Sequence, residues 1–197
     1  SGSTQTVTGN LTLTGAVSIN TYTLSVTNPT GAKFAILYQG RWYYSFPLNI
    51  VAHGSTIRVQ LDADTGYQID SIKLGSTSIT NGSDHTITSD ASITATTSLK
   101  TYTITITNPT GATITATASG TKYTSTFTAK HGTSITYNIA ASTGYNISSF
   151  TYGGASISNG DTKTLTGNVT VTAVTALKTY DVSITQPSNG TIKVGSN

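Results

Sequence analysis

The 197-residue chain contains no cysteine, which excludes disulfide bonds and metal sites built on thiolates. Its apolar runs are short, as in residues 34–38, whereas a membrane-spanning helix needs about 20 apolar residues. We therefore predict no membrane insertion.

Charge is also scarce. Charged residues make up only 9 % of the chain, all seven acidic residues are aspartate, and the formal net charge is +3. The lysines and arginines are scattered and form no stripe or cluster. Because a nucleic-acid interface is expected to concentrate such residues, we predict no nucleic-acid partner.

Threonine supplies roughly a fifth of the chain. Its branched side chain is stiff, suits a pleated sheet and disfavours a helix. No segment repeats its apolar residues with a helical period. The composition therefore predicts an all-β fold with a hydroxyl-rich surface.

An internal repeat organises the sequence. Residues 22–32 recur almost unchanged as residues 102–112, at an offset of 80. Further along, residues 65–67 recur as residues 143–145 at an offset of 78, so the first copy carries two extra residues. Such self-similarity is typical of proteins built from tandem modules.

Matches at both ends extend the repeat beyond these two copies. We predict that residues 1–21 are the C-terminal strands of a preceding repeat and that residues 180–197 are the N-terminal strands of a following one. The two complete repeats are repeat A, residues 22–101, and repeat B, residues 102–179.

Each repeat shows dense strand and turn signals. In residues 102–107, tyrosine and isoleucine alternate with threonine, which predicts one buried and one exposed face. Turn residues containing glycine or proline follow every 8–12 residues or so. About seven short strands per repeat result, and this number fits a small immunoglobulin-like β-sandwich.

These turn and core residues resemble those of divergent internalin-type B-repeats. The shared features are the opening Tyr-x-Val/Ile-x-Ile-Thr-x-Pro, the central Thr-Gly-Tyr and a closing run such as residues 168–173. The resemblance covers nearly the whole chain. It implies tandem modules in large bacterial surface proteins or phage structural proteins, with a role in spacing or adhesion and with no catalytic residues.

Repeat A differs from repeat B in a segment rich in aromatic residues. Residues 34–46 of repeat A contain the only tryptophan of the chain, whereas the equivalent segment of repeat B is mostly threonine, alanine and serine. A better-filled core, a seam with a neighbouring module, a protein interface and a glycan-binding surface all remain open as explanations. The candidate binding or interface residues are Phe34, Tyr38, Trp42, Tyr43, Tyr44 and Phe46.

Candidate residues for chemistry are few. His53 and His131 occupy equivalent positions before a glycine, which favours a structural role at a turn over catalysis. Asp62 and Asp64 could offer oxygen ligands to calcium, but repeat B has alanine and serine at the equivalent positions. We predict no enzyme activity, no catalytic residue, no metal site and no cofactor.

The sequence therefore predicts a structural or spacer array, or an adhesion array, in an extracellular protein on a cell surface or virion. Its partners would be neighbouring repeats of the same chain, with other protein subunits or surface glycans as further candidates. Two alternatives stay open: a glycan- or receptor-binding module that uses residues 34–46, and a self-assembling fibre or capsid-decoration subunit.

Overall fold

The computed structural model describes residues 4, 6–12 and 14–193 and confirms an all-β fold. Every regular element in this part of the chain is a strand. The chain divides into two compact units, unit 1 (Ser1–Ser98) and unit 2 (Leu99–Asn197). This division falls a few residues before the predicted junction of repeats A and B.

Unit 1 contains the strands of repeat A. They are β1 (Thr21–Val26), β2 (Ala32–Tyr38), β3 (Arg41–Tyr43), β4 (Leu48–Ala52), β5 (Ser55–Ala63), β6 (Tyr67–Leu74), β7 (Thr77–Ser78), β8 (Asp84–Ile87) and β9 (Ala91–Leu99).

Unit 2 contains the strands of repeat B. They are β10 (Thr101–Thr107), β11 (Ala112–Ala118), β12 (Thr121–Tyr123), β13 (Phe127–Lys130), β14 (Ser134–Ala141), β15 (Tyr145–Tyr152), β16 (Ala155–Ser156), β17 (Thr162–Thr164) and β18 (Val169–Leu177).

The two units have the same strand order. In unit 1 a five-stranded sheet runs β4-β1-β9-β6-β7 and a four-stranded sheet runs β3-β2-β5-β8. In unit 2 the corresponding orders are β13-β10-β18-β15-β16 and β12-β11-β14-β17. The prediction of about seven strands per repeat is not confirmed. Each unit has nine among its described residues, because hairpin arms of two or three residues, such as β3 and β7, also form strands.

The first and last strands of each unit are neighbours in the five-stranded sheet. β1 pairs with β9 in parallel, and β10 pairs with β18 in parallel. Side chains support both junctions, since Asp90 Oδ1 accepts the Thr23 N–H at 2.8 Å and Asn168 Oδ1 accepts the Thr103 N–H at 2.9 Å. Each unit therefore joins its two ends through one backbone ladder.

The core of each unit lies between its two sheets. Alternate residues of β2 and β5 in unit 1, and of β11 and β14 in unit 2, are buried in one apolar cluster together with residues of the opposite sheet. The other residues of these strands point away from the core. This alternation is the one that the period of two in the sequence predicts.

The recurring Thr-Gly-Tyr tyrosines pack on recurring glycines. Gly31 and Gly111 have φ values of +71° and +77°, and a Cβ built on them would lie 2.4 Å from the Tyr67 ring and 2.3 Å from the Tyr145 ring. Only glycine leaves room for the ring and also tolerates this backbone conformation. The motif is therefore a packing contact within each unit.

The recurring asparagines complete the backbone hydrogen bonds. Asn28 Oδ1 accepts the Phe34 N–H at 2.8 Å, and Asn108 Oδ1 accepts the Ile114 N–H at 2.6 Å. The asparagines of the Asn-Gly turns act likewise, since Asn159 Oδ1 accepts the Ile139 N–H at 2.7 Å. These side chains satisfy backbone groups where the ladder ends.

The two ends of the chain form no strand in the residues that the structure describes there, which are residues 4, 6–12, 14–20 and 178–193. Apart from Thr21, with which β1 begins, the strands predicted for residues 1–21 and 180–197 are thus not formed in the described part. A segment without partner strands would behave in this way. Residues 1–3, 5, 13 and 194–197 of these predictions lie outside the described residues. The assignment of both segments to neighbouring repeats stays a prediction.

Candidate functional site

The aromatic candidates of repeat A separate into buried and exposed groups. Phe34 and Tyr38 lie in the core and are 1 % and 2 % exposed. Contrary to the prediction, neither residue can belong to a binding surface, because a ligand cannot reach a side chain that packs between the sheets. For these two residues, a better-filled core explains the aromatic segment.

The remaining four candidates lie closer to the surface. Tyr43 and Phe46 are partly buried and pack against the core. Trp42 and Tyr44 are 39 % and 69 % exposed. Only Trp42 and Tyr44 therefore present large aromatic surfaces to solvent in this segment.

Trp42 belongs to a row of four side chains that crosses the outer face of the β3-β2-β5-β8 sheet. Trp42 pairs with Leu37, Leu37 with Arg58, and Arg58 with Asp84. Paired residues of antiparallel strands point to the same face, and the neighbouring pair Ile36 and Val59 is buried in the core. We call these four residues the outer row.

An ion pair forms the far end of the outer row. Arg58 Nε donates to Asp84 Oδ1 at 2.7 Å, and Arg58 Nη2 donates to Asp84 Oδ2 at 3.0 Å. The side chains of Arg58 and Asp84 remain 47 % and 51 % exposed. The hydrogen bond from the guanidinium lowers the pKa of Asp84 below its ordinary value of 3.8.

Further polar groups lie beside the outer row on the same face. Gln60, two residues along β5 from Arg58, donates through Nε2 to Asp62 Oδ1 at 3.0 Å. Lys33 pairs with Asp62 in the β2–β5 register. Positive and negative groups thus lie opposite each other along this face.

Unit 2 has a different surface at the equivalent positions. Its row consists of Lys122, Thr117, Thr136 and Thr162. Thr136 and Thr162 share a hydrogen bond of 2.8 Å between their hydroxyl oxygens. The equivalent row is therefore a set of hydroxyl groups with one lysine at its edge, without an aromatic ring or an ion pair.

Sequence reasoning selected Trp42 but missed Leu37, Arg58 and Asp84. Arg58 and Asp84 align with Thr136 and Thr162 at the offset of 78. The sequence did contain a signal for this pair, since two opposite charges replace threonine in only one of the repeats. The pairing of β5 with β8 was needed to show that these two residues lie side by side.

The histidines lie at structural positions. The backbone N–H groups of His53 and His131 both donate 2.8 Å hydrogen bonds to backbone carbonyls, of Asn20 and Lys100 respectively. His53 Nδ1 and Tyr22 Oη share a hydrogen bond of 3.2 Å. These contacts agree with the predicted role at a turn.

The structure gives no further candidate for chemistry among the residues it describes. Within this part of the chain, no three histidine or acidic side chains converge into a possible metal site. The same residues include no helix long and apolar enough to cross a membrane.

Comparison with known proteins leaves the family open. No family model matches the chain, and the search of curated proteins finds no match either. The resemblance to internalin-type B-repeats therefore stays a prediction that rests on the residues given above.

Proposed function

We propose that the two units are consecutive modules of a tandem array that bears force and spaces other parts of a protein outside the cell, on a bacterial surface or on a virion. In this proposal each unit is an immunoglobulin-like sandwich of the kind that the resemblance implies, and the recurring residues serve to fold it.

The parallel pairing of terminal strands carries this proposal. A pull on both ends of unit 1 draws β1 and β9 in opposite directions along their common axis. Since the two strands are parallel neighbours, the force acts along the ladder and loads its hydrogen bonds together. Antiparallel terminal strands would instead open one bond at a time. The same geometry recurs for β10 and β18.

The repeated contacts support the same role. Thr97 Oγ1 donates to the Thr30 carbonyl in unit 1, and Thr175 Oγ1 donates to the Thr110 carbonyl in unit 2. Both contacts connect the last strand to the loop that follows the first strand. They add side-chain bonds at the far end of the ladder from Asp90 and Asn168.

Single-molecule stretching of the whole chain tests this proposal. We expect two unfolding events, each releasing about 250 Å of chain, because the strands of each unit, in residues 21–99 and 101–177, span nearly 80 residues. Replacement Thr27→Pro removes the N–H that donates to the Ile93 carbonyl at 3.1 Å. It should lower the unfolding force of one event and leave the other unchanged.

Thr65→Pro is the matched control in the same unit. Thr65 occupies the second position of a turn in which the Tyr67 N–H donates to the Asp64 carbonyl at 3.0 Å and Gly66 has φ +84°. Proline suits this position, so both forces should persist. Extension without force peaks, or no effect of Thr27→Pro, would show that the terminal ladder does not bear load.

Location is tested separately. Antibodies against the chain are expected to label intact cells or virions that carry the parent protein. Labelling that requires the cells to be broken open would contradict an extracellular role.

A second candidate function is recognition of a ligand by the aromatic segment of repeat A. The observation that favours it is the exposure of Trp42 and Tyr44. Recognition of a ligand also requires polar groups beside these rings that can form hydrogen bonds with it.

A further inference from the structure

The outer row of unit 1 has no part in the fold contacts that the two units share. Its four residues span the full width of the β3-β2-β5-β8 sheet. Three strand spacings of about 4.8 Å place Trp42 about 14 Å from Asp84. A ligand that lies across the strands can therefore contact both ends of the row.

The first end of the row is apolar. Trp42 is on the edge strand and 39 % exposed, and half-buried Leu37 lies beside it. The indole ring offers a flat apolar surface with one N–H at its rim. Such a surface suits the C–H face of a pyranose ring, which is flat and apolar between its hydroxyl groups.

The second end can both donate and accept hydrogen bonds. Arg58 uses two of its five N–H donors on Asp84 and keeps three, while the Asp84 oxygens retain lone pairs. Mutual pairing fixes both groups in place, so little side-chain freedom remains to be lost on binding. Adjacent sugar hydroxyls need this combination, because each of them donates one hydrogen bond and accepts others.

The charge of this face favours a neutral ligand. Arg58 and Asp84 neutralise each other, and Lys33 lies opposite Asp62. A polyanion would be attracted by the two cations of this face and repelled by its two aspartates. A ligand with hydroxyl groups and no charge meets no repulsion, and its desolvation costs less than that of a charged ligand.

We propose that the outer row binds a short neutral oligosaccharide that lies across the strands of unit 1. One sugar ring stacks on Trp42, and hydroxyl groups further along the oligosaccharide bond to Arg58 and Asp84. This role rests on the second candidate function, for which it names the ligand class, and it does not depend on the force-bearing array.

Trp42 is itself the reporter for the test, because it is the only tryptophan of the chain. The full chain is titrated with maltotriose, cellotriose, tri-N-acetylchitotriose and, as a charged comparison, a heparin tetrasaccharide. A neutral trisaccharide should change the tryptophan emission in a saturable way.

Two pairs of variants locate the site. Arg58→Ala keeps the reporter and should weaken binding by about tenfold or more. Trp42→Ala should abolish binding measured by calorimetry. The equivalent substitutions in unit 2, Thr136→Ala and Lys122→Ala, should leave the affinity unchanged. All four positions lie on outer faces, and circular dichroism of each variant checks that the fold persists.

Three results would overturn this proposal. They are the absence of binding to every neutral oligosaccharide on a broad glycan array, binding restricted to the heparin tetrasaccharide, and neutral-sugar binding that Trp42→Ala or Arg58→Ala leaves intact. None of them would alter the expected stretching behaviour, so the array role is judged independently.

Discussion

Units 1 and 2 share one strand order but fill their cores differently. In unit 1 the cross-strand partners of β2 and β5 include Ile36 and Val59, whereas the equivalent partners in unit 2 are Ala116 and Tyr137. All four are fully buried. A small residue beside a large one occupies roughly the space of two residues of middle size, so the fold fixes the volume of the pair and leaves its composition free.

The two units also place their buried hydroxyl groups differently. In unit 1 the Tyr38 hydroxyl accepts the Ala52 N–H at 3.1 Å and donates to the Ile50 carbonyl at 3.3 Å, so it connects the two sheets. In unit 2 the equivalent residue is Ala118. Tyr137 is buried there instead, and its hydroxyl has no hydrogen-bond partner among the described residues. Its burial raises the pKa of Tyr137 above the ordinary value.

The two units also differ on their outer faces, although they share a set of contacts that hold the fold together. Both units retain the tyrosine-on-glycine contact, the asparagine hydrogen bonds and the parallel terminal ladder. Only unit 1 has the Trp42–Asp84 row. The comparison teaches that the repeated residues specify the fold and that the unrepeated residues distinguish one module from the other.

The largest expected effect comes from exchange of the core pair. Tyr137→Val alone should lower the free energy of unfolding of unit 2 by about 2–4 kcal/mol, because it leaves a cavity beside Ala116. Ala116→Ile alone should cost about 1–3 kcal/mol through overpacking. The double variant recreates the pair of unit 1 and should come within about 1 kcal/mol of the unchanged chain.

Hydrogen exchange resolved for each unit measures these three variants. Unit 1 should keep its protection in all of them and so serves as the internal control. If the losses in free energy of unfolding of the two single variants simply add in the double variant, the two substitutions do not compensate each other in volume.

A smaller effect should distinguish the two buried tyrosines. Tyr38→Phe removes the acceptor of the Ala52 N–H and should destabilise unit 1 by about 1–2 kcal/mol. Tyr137→Phe removes a buried hydroxyl that lacks a partner and should stabilise unit 2 by up to about 1 kcal/mol. Chemical denaturation, monitored by hydrogen exchange in each unit, gives the change in the free energy of unfolding for both variants. Equal losses in the two variants would mean that the Tyr137 hydroxyl is satisfied in solution.

The smallest effect concerns the ion pair of the outer row. Because Arg58 lowers the pKa of Asp84 in the folded chain, the pair stabilises the fold above about pH 4. That contribution disappears as the pH falls through the lowered pKa. A carboxyl titration by NMR should give Asp84 a midpoint below 3.8.

Arg58→Ala should move the Asp84 midpoint upward, whereas Lys122→Ala in unit 2 should not. The stability at pH 7 should hardly change, because both charges are half exposed and solvent screens them. An unaltered midpoint in Arg58→Ala would show that the pair does not persist in solution.

The burial of Phe34 and Tyr38 could not be predicted from the alternation within a single strand. Alternation along residues 34–38 placed Phe34, Ile36 and Tyr38 on one face, but it could not show which face is buried. Leu37, which belongs to the opposite face, became part of the candidate site because β3 and β5 lie on either side of it. The number of strands was underestimated since hairpin arms as short as Thr77–Ser78 have almost no pattern of their own.

The sequence by itself determined the all-β class, the repeat of just under 80 residues and the turn residues, because alternation, β-branching and glycine act over a few neighbouring positions. Tertiary structure alone decided which aromatic side chains are buried, which strand ends pair in parallel and which charges meet on one face. Those contacts join residues that are distant along the chain, and only the register between strands brings them together.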